Sequence, residues 1–153
     1  MAEKRFNLRV YGILINDANE VLIADERVAG MTFSKFPGGG LEHGEGTHEC
    51  IQRECMEEMN QPIQVLEHFY TTDFYQVSAF RKTDQLISIY YRIALDGPQQ
   101  FPIASQPFDF PEGSENAIAF RWVPLAHLTP EMVRWPVDKV VVNLLHKQHA
   151  NAT

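Results

Sequence analysis

A single mixed α/β domain is the fold class that this 153-residue chain predicts. Three observations carry it. β-rich segments open the chain, one uninterrupted helical run follows a cluster of glycines, and more β-rich segments precede a final amphipathic helix. A chain of this length buries roughly two-thirds of the surface its unfolded form exposes. One domain over residues 1–149 is expected, with residues 150–153 as a frayed tail.

Residues 6–15 alternate loosely and are rich in Val, Ile and Tyr, which suits a strand. Asn16, Asp17, Ala18 and Asn19 form a turn cluster, and residues 20–25 return as a second strand, so a hairpin is expected. Residues 31–36 are a short extended piece leading to Pro37 and Gly38-Gly39-Gly40, read as a loop that feeds a helix. No Gly or Pro interrupts residues 47–61. Thr47 is the expected N-cap, Glu49 suits the positive end of the helix dipole, and Asn60 is a natural left-handed stop.

Residues 63–75 and 86–95 are β-rich, with turn chemistry at residues 81–84. Gly97, Pro98, Pro102, Pro107, Pro111 and Gly113 make residues 97–113 a long loop. Residues 117–123 are another strand. Thr129 and Pro130 look like an N-cap and first helical position. Val137, Val140, Val141, Leu144 and Leu145 have helical spacing and give the last helix its apolar face.

The helix after the glycines carries the chemistry. Glu54, Glu57 and Glu58 stand at i, i+3 and i+4 and share one face, while Ile51, Cys55 and Met59 mark a neighbouring face as core. Carboxylates this close repel by about 4 kcal/mol per pair at 4 Å and an effective dielectric near 20. A divalent cation relieves that repulsion, and carboxylate oxygens are what Mg²⁺ and Mn²⁺ prefer. Arg53 can pair with Glu57 four residues on, or reach Glu45. Taken alone, an acidic helix face is usually just solvated; the spacing of the whole stretch argues otherwise.

Gly39, five residues, Glu45, seven residues, Arg53-Glu54 and then Glu57-Glu58 resemble the Nudix box, G-x5-E-x7-R-E-U-x-E-E-x-G-U with U aliphatic. Six of its nine specified positions match. At roughly 5–7% usage per residue, six fixed positions coincide by chance on the order of once in 10⁷ registers. Cys55, Asn60 and Gln61 depart from the pattern at structural positions, and every acidic position is kept. Buried Cys packs as a small hydrophobe, and Ile63 can supply the aliphatic contact that Gln61 lacks.

The resemblance implies a Nudix fold, a mixed β-sheet between α-helices. It implies a metal-dependent pyrophosphohydrolase acting on a nucleoside diphosphate linked to another group, with Mg²⁺ or Mn²⁺ as cofactor. Glu54, Glu57 and Glu58 would hold the metal, with a main-chain carbonyl from Gly38 or Gly39 beside them. Arg53 and Glu45 would orient those carboxylates. The general base varies within the family; Glu54 is one candidate. Glu115, seven residues before Trp122 in a loop where family members often place an acid, is the other. A non-catalytic binding or regulatory module is the alternative, but such modules usually lose box carboxylates. Neither the proline expected of ADP-ribose pyrophosphatases, at Val77, nor the tyrosine of dinucleoside polyphosphate hydrolases, near Ala79, is present.

Other signals are weaker. Five aromatics among residues 69–80 read mainly as packing in a half-buried strand, with one left over for ligand at most. Ser105 to Pro111 is similar to the SQPWPFP motif of NADH pyrophosphatases, but with Phe108 and Asp109 replacing Trp and Pro. It also lies far from the box, so it reads as a surface loop. His43 in the glycine turn is as well explained by solvent as by phosphate, and His146 with His149 makes a poor metal pair.

A net charge of −7 argues against non-specific nucleic-acid or membrane binding, and six of the twenty acids lie between Glu42 and Glu58. The partner expected is a small nucleotide-type molecule, and a homodimer is compatible with the sequence. Residues 1–7 hold no apolar run of signal-peptide length. Cys50 and Cys55 point different ways on one helix, so two free thiols and a reducing cytoplasm are expected.

Overall fold

The computed structural model describes residues 3–151. Its element order is the α/β alternation expected of the Nudix fold. The chain divides into two compact units, residues 3–13 with 38–99 and residues 14–37 with 100–151.

The first unit is built on a four-stranded sheet. Its strands are β1 (Arg5–Leu14), β4 (Gly38–Gly40), β5 (Ile63–Thr71) and β6 (Asp84–Leu95), in the order β4-β1-β6-β5. Helix α1 (Thr47–Met59) packs on β4 and β5. The helix buries Ile51, Cys55 and Met59, the face that the apolar spacing marked, together with Cys50, and both cysteines are buried and outside any disulfide. Gly12 lets β1 lie close beneath it: a Cβ there would come within 3.4 Å of Ile51 and 2.5 Å of Ile93.

Two local expectations change here. The three glycines are not loop but strand, with Tyr11, Val10 and Arg9 opposite Gly38, Gly39 and Gly40. Gly38 has φ +142°, a conformation that residues with a Cβ rarely adopt, so the strand depends on glycine there. The helix is capped by Gly46 rather than Thr47, and Glu49 accepts the Gly46 N–H at 3.1 Å. Thr47 hydrogen-bonds the Tyr91 hydroxyl on β6 at 2.7 Å instead. At the other end, Asn60 takes the expected left-handed turn (φ 52°, ψ 38°), and its N–H donates to the Met56 carbonyl at 3.0 Å. Gln61 is fully buried, with its amide donating to the Pro62 carbonyl at 2.9 Å, and Ile63 is buried beyond it.

The second unit holds a three-stranded sheet. Its strands are β2 (Glu20–Val28), β3 (Met31–Lys35) and β7 (Ala117–Pro124), in the order β3-β2-β7. Helix α2 (Pro136–Asn151) buries Val137, Val141, Val142 and Leu145. It runs through Ala150 and Asn151; residues 152 and 153 of the expected tail lie outside the described residues.

The expected hairpin between the first two strands does not form. The turn is present, with the Asn16 side chain accepting the Ala18 and Glu20 N–H groups, but only Ile15 and Val21 bridge before the strands enter different sheets. The hairpin is instead β2–β3, closed at Ala29 and Gly30, both with positive φ, as a two-residue turn of the right twist requires. A buried ion pair braces this sheet. Asp25 accepts from Arg121 Nε at 2.7 Å, from the Ser34 hydroxyl at 2.7 Å and from the Phe108 N–H at 3.2 Å. The loop at residues 105–111 is thus tied through its backbone, and its aromatics stay largely outside the core.

The aromatic stretch also departs from its reading. Phe69 and Tyr70 are half-buried, but Phe74, Tyr75 and Phe80 are exposed, because β5 stops at Thr71 and they sit in the connection to β6. Among the described residues no helix is long and apolar enough to cross a membrane.

Candidate active site

Arg53 organises the first unit's acidic face. It leaves α1 one turn above Cys50 and reaches Glu45 with two parallel bonds, Nε to Oε2 at 2.9 Å and Nη2 to Oε1 at 2.7 Å. Nη1 donates to Glu54 Oε1 at 3.0 Å and Glu57 Oε2 at 3.1 Å, and lies 3.6 Å from Glu42. Nη2 also donates to the Gly40 carbonyl at 2.9 Å. One planar fork thus ties the loop, the helix and β4 together, which a lysine's single ammonium could not do.

The electrostatics follow from this hub. Arg53's hydrogen bonds hold Glu45 well below the usual carboxylate range, at about 2, with help from the Glu42 N–H. Arg53's own pKa is raised, first by its bonds to Glu45. Cys50 lies beneath them, its Sγ 3.5 Å from the Gly40 carbonyl. Burial, then the Glu45 charge, pushes its thiol up to about 12, so it stays protonated and unreactive.

Gly39 provides the cradle. A Cβ at this position would stand 2.6 Å from the Glu54 carboxyl carbon, so a side chain here would have to push that carboxylate aside. Glu58 is half-buried with one oxygen fully enclosed, while Glu57 is more exposed. The oxygens of Glu54, Glu57, Glu58 and the Gly39 backbone are the hard donors that Mg²⁺ and Mn²⁺ take. They are not gathered in advance: among the described residues no three acidic, His or Cys side chains form a ready metal shell. Glu54 and Glu57 instead turn oxygens toward Arg53.

The structure therefore brings Gly39, Glu45, Arg53, Glu54 and Glu57 together, with Glu58 on the same helix. Glu115 belongs to the second unit. It is exposed, and its carbonyl accepts the Gly30 N–H of the β2–β3 turn at 3.4 Å. His43 is exposed, and His146 hydrogen-bonds the Leu128 carbonyl, in keeping with a structural role. Sequence reasoning missed Glu42, Cys50 and the Gly40 carbonyl as partners of Arg53. Cys50 could have been found from its i, i+3 spacing to Arg53; the carbonyl could not.

A family model for the NUDIX domain matches residues 5–144. The chain belongs to the NUDIX domain family. It is a Nudix hydrolase, an enzyme of the pyrophosphohydrolase type, and such enzymes generally need a divalent metal. Among solved structures it is similar to the E. coli ORF135 protein, with TM-score 0.71 and 16% identity over 97% of this chain and 94% of that one. It is similar to a MutT protein from Methanosarcina mazei Go1, with TM-score 0.64 and 18% identity over 100% and 99% of the two chains. A UDP-X diphosphatase matches with TM-score 0.62 and 18% identity over 100% of this chain and 66% of that one. Likeness at these identities speaks for the shared fold.

Proposed function

We propose that this Nudix hydrolase cleaves a nucleoside diphosphate linked to another group, with Mg²⁺ or Mn²⁺ held by Glu54, Glu57, Glu58 and the Gly39 carbonyl. The observation that carries the reading is the Arg53 hub. Four carboxylates converge on one guanidinium beside a strand without side chains. That acid excess is costly unless a further cation shares it.

When bound, a divalent ion neutralises the diphosphate and makes water a better nucleophile. This chain's residues do the rest. Glu45 fixes the Arg53 fork; Arg53 fixes Oε1 of Glu54 and Oε2 of Glu57, and so sets where their carboxylates stand. In the reaction a water oxygen bonds to one phosphorus, the bridging P–O bond breaks, and the leaving phosphate keeps that electron pair. The water proton passes to a carboxylate, with Glu54 or Glu115 as base.

A panel of NADH, ADP-ribose, nucleotide sugars and (deoxy)nucleoside triphosphates tests the reading. Turnover of one class, with a nucleoside monophosphate among the products, supports it. Release of inorganic phosphate alone, or binding without turnover, contradicts it; the latter would favour a non-catalytic module. The markers absent at Val77 and Ala79 point away from ADP-ribose and dinucleoside polyphosphates as best substrates.

A further inference from the structure

The box helix opens on a residue that cannot hold it to the sheet. Gly46, at its N-cap, has no side chain, and the Glu49 bond back to the Gly46 N–H stays within the helix. The next two residues both close on Tyr91 of β6. The Thr47 and Tyr91 hydroxyls share a hydrogen bond at 2.7 Å, and the His48 and Tyr91 rings meet edge-on at 4.8 Å. Tyr91 thus grips the first turn of the helix that carries the box carboxylates.

Tyr91 is itself braced. His68 stands opposite it on β5, with the two ring centroids 5.8 Å apart and the planes at 81°. The β5–β6 register shifts on both sides of His68, between Val65 and His68 and between His68 and Tyr70. Bulges of this kind re-aim a side chain. The Thr71 hydroxyl then holds the imidazole, 2.8 Å from Nε2. Half-buried, with one imidazole from α1 and one from β5 against its ring, Tyr91 is a fixed post for the helix start.

What the post controls follows from the order of the chain. Thr47 comes two residues after Glu45, whose carboxylate takes both edges of the Arg53 fork. That fork sets Oε1 of Glu54 and Oε2 of Glu57. A shift of Thr47 away from β6 carries Glu45 with it and opens the fork. A misplacement of about 1 Å in a site can cost about 100-fold in rate.

We propose that Tyr91 is a positioning residue for the hydrolysis: by gripping Thr47 and His48 it fixes where the turn enters α1, and through the Glu45–Arg53 fork it fixes the box carboxylates. The proposal rests on the reading of those carboxylates as metal ligands. Tyr91 acts through Thr47, so its loss shows in how the carboxylates stand rather than in how substrate is held.

The test is a double-substitution cycle on the hydrogen bond. Tyr91→Phe and Thr47→Val each remove one hydroxyl with little change of shape, and Thr47→Ser keeps it. Mn²⁺ affinity is read by electron paramagnetic resonance, and kcat and KM on the panel substrate that wild type turns over. Exchange of the Arg53 Nε–H with water is read by ¹⁵N NMR without metal. Tyr91→Phe is expected to weaken Mn²⁺ binding and lower kcat by about 3- to 10-fold, the worth of one neutral hydrogen bond, with KM within about twofold. Arg53 Nε–H exchange should quicken by about threefold or more. Thr47→Val should match Tyr91→Phe, the double variant should lose no more than either single, and Thr47→Ser should stay near wild type.

Wild-type Mn²⁺ affinity and Arg53 exchange in Tyr91→Phe overturn the proposal, whatever the denaturant midpoint, because the bond then serves stability alone. Additive losses in the double variant overturn it too, as does a Thr47→Ser protein that behaves like Thr47→Val. Failure of the underlying reading shows differently: wild type binds no Mn²⁺. The exchange measurement needs no metal and still decides whether Tyr91 sets the fork.

Discussion

Arg53 grips Glu45 with both edges of its fork, Nε to Oε2 at 2.9 Å and Nη2 to Oε1 at 2.7 Å, across eight residues of chain. The pair locks the turn after β4 onto the helix that follows it. Three predictions start from the helix that carries Arg53 and the turn before it, and a fourth concerns Glu115.

Glu45 makes the protein's stability depend on acid. Its carboxyl titrates near 4.5 in the unfolded chain and at about 2 in the folded one, chiefly because of Arg53. Its contribution is fully present above the unfolded value and is lost as pH falls through 4.5 towards 2. Denaturant midpoints should therefore decline over that window, and Glu45→Gln should flatten the decline. An equal slope in the variant would remove Glu45 from the account.

Arg53→Lys keeps the charge and loses the fork. One ammonium cannot serve Glu45, Glu54, Glu57 and the Gly40 carbonyl together. Mn²⁺ affinity, measured by electron paramagnetic resonance, should fall by about 10- to 100-fold, as for other groups that orient ligands. Wild-type affinity in Arg53→Lys would mean that charge alone suffices.

Asn60→Gly tests the helix end. Asn60 sits at φ 52°, where glycine has no Cβ to strain, so the change should be neutral or slightly stabilising. A loss above about 1 kcal/mol in denaturant melts would reveal a specific partner for the Asn side chain.

Glu115→Gln separates the two candidate bases. If Glu115 takes the proton, kcat falls by about 10- to 100-fold, within the range of a positioned acid–base group. Its exposure keeps the stability change below about 0.5 kcal/mol. Glu112→Gln should do less. If both are silent, Glu54 inherits the role.

The site was more legible than the topology. The spacing of Gly39, Glu45, Arg53, Glu54, Glu57 and Glu58 marks a chemical constraint, and the fold sets these residues on one helix, the strand before it and the turn between. The first hairpin misled because Val10 to Leu14 and Val21 to Asp25 are buried on both faces. Their sequences therefore lack the alternation that reports a strand's sheet. Thr47 looked like the cap because its hydroxyl suits that role, but Tyr91, 44 residues away, claims the hydroxyl. Phe74, Tyr75 and Phe80 looked like core because composition does not show where β5 ends. Gly38 to Gly40 looked like loop because glycine disfavours strands. Here close approach to Tyr11 and Glu54 outweighs that preference.

In the reading proposed above, the box carboxylates hold the metal on which hydrolysis depends. The most direct measurement is the initial rate on the best panel substrate, in Mg²⁺ and in EDTA, for wild type and Glu57→Gln. EDTA should abolish wild-type turnover, Mg²⁺ should restore it, and Glu57→Gln in saturating Mg²⁺ should be slower by at least about 100-fold. Turnover that persists in EDTA, or a Glu57→Gln variant with near-normal rate, would contradict it.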